Sequence, residues 1–338
     1  MSKAKVFFLW DVRKELRDFL KKQLSDVPTV RLEFPSAPTD EFLIEAASNA
    51  EIVVGWRPTR EFLDAACKMR LFINPGAGVQ HHLEPFRELN KTRKVILVNG
   101  HGNSYFAAQH AVAMLLALMN KIIPHHNWMA EGHWRRGDDH AVSIPLRYRT
   151  IGLLGYGHVN SKVHQFLTGF NNDFCILKKS WTGEESMPTP ARKYVTEELE
   201  EFLEVIDILI VAVPETDETE GLLQFHHLEK LGSDSLLVNI ARGGVIDETG
   251  LYKALKEKAI AGAALDVWYE YRPEPDESGQ KYPYSHPFHE LDNVVLSPHR
   301  AASPFSDLER WTEVVENIRR YATGRIDFLN IVDLERGY

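Results

Sequence analysis

Residues 150–170 read TIGLLGYGHVNSKVHQFLTGF: an apolar run, two glycines at Gly155 and Gly157, then apolar residues at helical spacing. A glycine pair carries meaning when it directly follows a strand and opens a helix, and that is its setting here. Gly155 permits a tight turn, and Gly157 lets the backbone approach a pyrophosphate. The amides of His158 and Val159 open a helix whose positive end attracts an anion. The third glycine of a dinucleotide-binding fingerprint is replaced by Asn160. That glycine serves helix-to-strand packing rather than phosphate contact, so the binding surface survives the change. A glycine turn that holds no ligand is the plainer alternative.

An acidic residue at the end of the next strand would hold the adenosine ribose hydroxyls. This chain has Leu177, Lys178, Lys179 and Ser180 there. Two cations and a hydroxyl suit a 2'-phosphate, which a carboxylate would repel, so NADP is favoured, NAD staying possible. Two solvated lysines beyond a strand are the other reading.

Working outward, apolar strands at 174–177, 208–213, 236–240, 261–267 and 294–296 alternate with helical segments, the pattern of a doubly wound parallel sheet. Upstream, strands at 5–10, 29–34, 52–55 and 71–74 and a helix at 15–24 make a first α/β unit over about residues 1–100. A chain of 338 residues is long for one hydrophobic core, so two domains are expected. Residues 107–123, AAQHAVAMLLALMNKII, read as one apolar helix stopped by Pro124 and buried on nearly every side. Its length, with Gln109, His110 and Lys121 inside it, favours an inter-domain or dimer-buried helix over a membrane span. The last helix, 307–321, either ends the second domain or returns to the first.

A net charge of −9 argues against a polyanion binder, so no nucleic-acid partner is expected. Cys67 and Cys175 stand far apart in apolar stretches, which predicts two core residues and neither a disulfide framework nor a thiolate metal site. The opening MSKAKVFFLWDVRKEL has too short an apolar run for a secretion signal or a membrane span, so a cytoplasmic protein is expected.

Three further stretches, 236–255 (LLVNIARGGVIDETGLYKAL), 259–270 (AIAGAALDVWYE) and 293–302 (NVVLSPHRAA), resemble the D-isomer-specific 2-hydroxyacid dehydrogenase family. The resemblance extends to 72–82 (FINPGAGVQHH), similar to that family's carboxylate-binding loop, and to 107–118, similar to its long inter-domain helix. It implies two Rossmann-like doubly wound parallel-sheet domains with a cleft between them. Residues 1–103 with 305–338 would form a flavodoxin-like substrate domain and 104–304 the dinucleotide-binding domain. It further implies NADP or NAD as cofactor and a small 2-keto or 2-hydroxy acid as substrate. A homodimer through the cofactor domain follows too, for which Trp128, Trp134 and the apolar helix offer surface.

Residue by residue, Arg242 would hold the substrate carboxylate with its bidentate fork and His299 would be the acid–base group. Ala77, Gly78 and Val79 would offer loop amides to the other side of the carboxylate. Asp266 matches the aspartate beside the nicotinamide, and Val213, Pro214, Thr219, Ile240 and Ala241 join the cofactor contacts. The family's glutamate partner of the histidine is replaced by Tyr271. Glu270 is the carboxylate expected to take its place, with Tyr271 itself able to bond the imidazole; with no carboxylate in reach, the pH profile should shift downward. The insertion 273–293 is unusual for the family and is expected as a lid or dimer contact, its His286 and His289 as surface residues rather than metal ligands. Ala77 in place of a lysine argues against phosphite as substrate, and Tyr271 in place of a glutamine against formate. The other class is a regulator that senses nicotinamide nucleotide on the same fold with little turnover.

Overall fold

The computed structural model describes residues 3–135, 137, 141–181 and 185–338. The chain divides into two compact units, one of residues 1–103 with 304–338 and one of residues 104–303.

In the first unit, β1 (Ala4–Phe8), β2 (Val30–Glu33), β3 (Ile52–Val54), β4 (Leu71–Ile73) and β5 (Ile96–Val98) form a parallel sheet of order β2-β1-β3-β4-β5. The central strands β3 and β4 are buried along their whole length, which is why they read as unbroken apolar runs. Helix α1 (Lys14–Gln23) puts Leu16 and Leu20 on one sheet face, together with Val314, Val315 and Ile318 of the C-terminal helix Thr312–Ala322. The chain's last helix thus packs with its first residues, after a tighter turn at Glu309–Trp311 that buries Trp311. Helices α2 (Asp40–Ala47), α3 (Arg60–Ala65) and α4 (Gln80–Thr92) complete the unit, with Phe62, Leu63, Phe86 and Leu89 on the opposite face. Thr39 and Thr59 cap α2 and α3 by accepting the N–H groups of Phe42 and Phe62. Cys67, expected in the core, is exposed, because it falls just past the end of α3 where Ala66 has already taken the buried position.

The second unit holds β6 (Thr150–Leu154), β7 (Asp173–Leu177), β8 (Ala191–Tyr194), β9 (Ile208–Val211), β10 (Leu236–Asn239), β11 (Gly262–Leu265) and β12 (Val294–Leu296). All pair in parallel, in the order β12-β11-β10-β9-β6-β7-β8. The order reverses between β6 and β9, the switch point where open α/β sheets bind ligands. Helices α5 (Ser104–Met119), α6 (Ile122–Ala130), α7 (Asn160–Leu167), α8 (Leu199–Glu204), α9 (Phe225–Leu231) and α10 (Glu248–Lys256) belong to it.

Two features depart from expectation. The apolar stretch 107–123 is not one helix: α5 ends at Met119, Lys121 turns left-handed at φ 53°, and α6 starts at Ile122. Pro124 therefore stops nothing. It sits in the first turn of α6, where its missing N–H would have had no helical partner. Burial is one-sided as well: Ala108, Ala111, Leu115 and Leu118 are covered, while Gln109, Ala113 and, on α6, Ile122 and Met129 are exposed. No single helix among the described residues is long and apolar enough to cross a membrane, and α5 and α6 are bent by 64°. The insertion is not a free flap either. Its Tyr284 and Phe288 pack on Trp268, and its Pro283 carbonyl accepts the N–H groups of Tyr269 and Glu270.

Candidate active site

Six strand ends of the second unit hold the candidate residues. After β6, Gly155 turns at φ 80°, and a side chain there would press on the Ala212 carbonyl oxygen at 2.7 Å. At Gly157 an added Cβ would meet nothing within 4 Å, so the turn faces open space. His158 is exposed and Val159 half-buried just before α7. Asn160, in the place of a third glycine, is completely buried. Its Nδ2 donates to the carbonyls of Gly155 at 2.7 Å and of Leu154 and Ile210 at 3.2 Å, so the side chain ties the turn to β6 and β9.

Beyond β7, Lys178 pairs with Glu185 and also lies over the Trp181 ring, while Lys179 donates to both oxygens of Glu218 at 2.7 and 2.6 Å. Ser180 is exposed beside them. The lysines thus already have carboxylate partners, which the sequence did not signal because Glu218 lies 39 residues away. After β9, Val213 and Pro214 lead into a turn closed by Thr219, whose hydroxyl donates to the Pro214 carbonyl at 2.7 Å.

After β10, Asn239 shapes the next loop: its Oδ1 accepts the Ala241 N–H and its Nδ2 donates to the Arg242 carbonyl, both at 3.0 Å. In that loop Ile240 is half-buried and Ala241 buried, and the half-buried Arg242 donates to the Ala241 carbonyl at 2.6 Å. Gly243 is required, since a Cβ would fall 2.3 Å from the Trp268 carbonyl oxygen.

After β11 comes Asp266, 1 % exposed, and after β12 the loop with His299. Asp266 accepts the Ser297 hydroxyl and the backbone N–H groups of Arg300 at 2.6 Å and Ala301 at 2.9 Å. His110 of α5 donates to the Ser297 hydroxyl at 2.8 Å and lies 3.4 Å from the Asp266 carboxylate. Burial pushes the Asp266 carboxyl up, but the hydrogen bonds from His110, Ser297 and the two amides outweigh it and hold the group below its ordinary value. His299 adopts φ 55°, a left-handed conformation of the sort found at functional sites. Its Nδ1 is 2.8 Å from the Tyr271 hydroxyl, the rings meeting edge-on at 5.2 Å. Desolvation holds the imidazole below its usual value; Asp266 pulls it up and Arg242 pushes it down. Glu270, expected at His299, is not its partner: its carboxylate turns back to accept the Arg272 N–H at 2.6 Å. His110, Ser297 and Asn239 were not foreseen.

In the first unit, the loop after β4 holds Ala77, Gly78 and Val79, directly before α4. Asn74 Nδ2 donates to the Gly76 and Gly78 carbonyls at 2.6 and 3.0 Å, Asn99 Nδ2 to the Ala77 carbonyl at 2.9 Å, and the Gly100 N–H to Gly76 at 3.1 Å. With the Gly76, Ala77 and Gly78 carbonyls engaged by these bonds, the loop lies directly before a helix of 13 residues, whose positive end favours an anion. Trp10 stacks on Trp311 and meets Trp56 at a tilt, and Trp56 lies next to Gly76. Elsewhere, Glu200, His226 and His227 lie close enough for one ion. His227 Nδ1, however, accepts the Gln224 N–H at 3.1 Å, which puts its proton on the nitrogen a metal would need. His286 bonds Thr249 and stacks on Tyr252, and His289 lies against Tyr282.

Residues 112–301 match the model of the D-isomer specific 2-hydroxyacid dehydrogenase NAD-binding domain. The chain is 30% identical over 305 residues to a D-3-phosphoglycerate dehydrogenase of Archaeoglobus fulgidus, which spans 88% of this chain but only 53% of that longer protein. It is 30% identical over 297 residues to a glyoxylate reductase of Pyrococcus furiosus, covering 85% of this chain and 83% of that one. Among solved structures, a D-isomer specific 2-hydroxyacid dehydrogenase from Xanthobacter autotrophicus in complex with NADPH and MES is 25% identical, with a TM-score of 0.77 and full coverage of both chains.

Proposed function

The chain belongs to the D-isomer specific 2-hydroxyacid dehydrogenase family, and from that premise we propose that it is an NADP(H)-preferring, NAD-tolerant dehydrogenase that interconverts a small 2-keto acid and its D-2-hydroxy acid. The observation that carries the reading is that Arg242, Asp266 and His299 follow three neighbouring parallel strands, β10, β11 and β12, so all three lie at one end of the sheet that bears the Gly155 turn.

The turn fits a dinucleotide: the space over Gly157 admits a pyrophosphate close to backbone, and Lys178, Lys179 and Ser180 offer charge and a hydroxyl to a 2'-phosphate. When bound, the cofactor supplies or accepts the hydride. Arg242 holds the carboxylate of the acid, and its charge draws electron density from the neighbouring carbonyl. His299 gives a proton to the oxygen as it becomes an alkoxide in reduction and takes it back in oxidation. Asp266 keeps the His299 loop in register. The second unit is the dinucleotide-binding domain, and the first is the substrate domain, with the N–H groups of Ala77, Gly78 and Val79 offered to the carboxylate. A homodimer is part of the reading, supported by exposed apolar residues at Ile122, Ile123, Met129 and Trp134.

The test is loss of NADPH absorbance at 340 nm with glyoxylate, hydroxypyruvate, pyruvate and longer 2-keto acids, in the parent and in Arg242→Ala. Turnover lost in the variant while NADPH still binds supports the assignment; turnover that persists removes Arg242 from it. A parent that binds NADPH yet reduces none of these acids would instead be a nucleotide sensor.

A further inference from the structure

On the reading that His299 is the acid–base group, we propose that Tyr271 is its positioning residue and leaves it uncharged at neutral pH. The site is then ready for hydroxy-acid oxidation at neutral pH and performs reduction on the acid side.

The argument begins with the contact itself, a phenol oxygen 2.8 Å from Nδ1, where a carboxylate is the usual partner in the family. A carboxylate can only accept a hydrogen bond, and its charge favours the imidazolium. A phenol has no charge to give. In the tautomer proposed, with the proton on Nδ1, the phenol oxygen accepts from Nδ1–H in both the imidazolium and the neutral ring, which keeps Nε2 turned toward the reacting oxygen. The hydroxyl stays protonated, because desolvation raises Tyr271 above its ordinary value. The charges facing the pair are Asp266 behind the loop and Arg242 and Glu215 from neighbouring strand ends. Asp266 is already engaged by three hydrogen bonds from the loop and by His110, and Arg242 disfavours a second positive charge beside it.

Tyr271 is half exposed, and backbone contacts set its position. The Trp268 N–H approaches its oxygen at 3.4 Å, and the Pro283 carbonyl of the insertion fixes the peptides of Tyr269 and Glu270 just before it. The insertion and the exchange of glutamate for tyrosine are thus parts of one local arrangement, which also turns Glu270 away.

In oxidation the hydride leaves C2 with its electron pair for the oxidised nicotinamide ring. The hydroxyl O–H bond breaks, its proton goes to Nε2, and the C2–O bond becomes a carbonyl. Tyr271 accepts from Nδ1–H before and after, so no proton is needed from it. Reduction is the reverse and requires the imidazolium at the start. Reductive kcat/KM therefore falls as pH rises through the His299 midpoint, while oxidative kcat/KM rises through it and levels off.

The experiment measures both profiles in the parent, Tyr271→Phe and Tyr271→Glu, using the best acid found above and its D-hydroxy acid. In parallel, the His299 imidazole is titrated by NMR, its resonance assigned from its absence in His299→Gln. We expect a parent midpoint below the ordinary imidazole value of 6.5. Tyr271→Glu should raise it by about one unit or more. Tyr271→Phe should lower kcat/KM several-fold while its midpoint stays low. A parent midpoint at or above 6.5, or a glutamate variant that loses rate without moving the midpoint, overturns the proposal. If no acid is turned over, the dehydrogenase reading fails, and the NMR titration still decides the role of Tyr271 by itself.

Discussion

Asp266 and Ala301 are joined across the ends of adjacent strands, the aspartate Oδ2 accepting the Ala301 N–H at 2.9 Å. With the Ser297 hydroxyl and the Arg300 N–H on the other oxygen, one buried carboxylate fixes both sides of His299. Asp266→Asn keeps the shape but replaces an acceptor by a donor facing N–H groups. We expect a loss of about 1–3 kcal/mol in urea unfolding and a drop in kcat larger than any change in cofactor affinity. The Asp266 pKa is lowered in the fold, so its contribution is present above the unfolded value of 3.8 and is lost as pH falls through the folded value. The parent and Asp266→Asn should therefore converge in stability only at strongly acid pH. His110→Ala should give a weaker version of the same phenotype, seen as a fall in kcat with the cofactor KM unchanged.

How much of this could be read beforehand follows from how local each signal is. Gly155, Arg242 and His299 sit at the ends of apolar strands, where a few consecutive residues reveal both the element and its terminus. His110 and Ser297 meet across 187 positions, and neither carries a local mark of the other. Asn74 and Asn99 shape the first unit's loop in the same silent way. Strand β8 is silent in the sequence because its Arg192 and Lys193 face solvent on a sheet edge. The break at Lys121 has no glycine to announce it. Glu270 and Tyr271 cannot be told apart as partners of His299 in the sequence, because adjacency says nothing about which side chain turns toward the imidazole.

Asn160 should prove a structural equivalent of the glycine it replaces. One buried amide serves three carbonyls, so Asn160→Ala strands acceptors at the ends of β6 and β9. Thermal and urea unfolding should show a loss of about 1–3 kcal/mol. The Kd for NADPH should rise several-fold because the turn is no longer tied down. An Asn160→Ala chain of unchanged stability and unchanged NADPH affinity would remove this role.

His164 predicts a second pH effect, remote from the catalytic one. Completely buried between the Tyr156 hydroxyl and Thr189, each at 2.8 Å, it is pushed down from 6.5 to about 4 by desolvation. A depressed folded pKa means that the unfolded chain takes up the proton first. Stability present above pH 6.5 should therefore decline as pH falls toward 4. Differential scanning calorimetry should record a falling Tm across that window, and the slope should flatten in His164→Gln.

The lysine pair beyond β7 offers the sharpest test of cofactor choice. Lys179 and Glu218 are both more than half exposed, and exposed ion pairs contribute little, on the order of 0–1 kcal/mol. Exchanging the carboxylate for a 2'-phosphate is then nearly free of penalty for Lys179, and the doubly charged phosphate is the stronger partner. Lys178 differs: its Glu185 is only 24% exposed, and the ring of Trp181 holds the ammonium in place. Lys179→Ala should raise the KM for NADPH about tenfold and leave that for NADH nearly unchanged, whereas Lys178→Ala should disturb both through the strand end it anchors. Glu218→Gln should tighten NADPH by freeing Lys179 from a competing anion, with an effect that shrinks as salt is added. If Lys179→Ala weakens NADPH and NADH equally, the 2'-phosphate is recognised elsewhere, and the lysines are a solvated strand end.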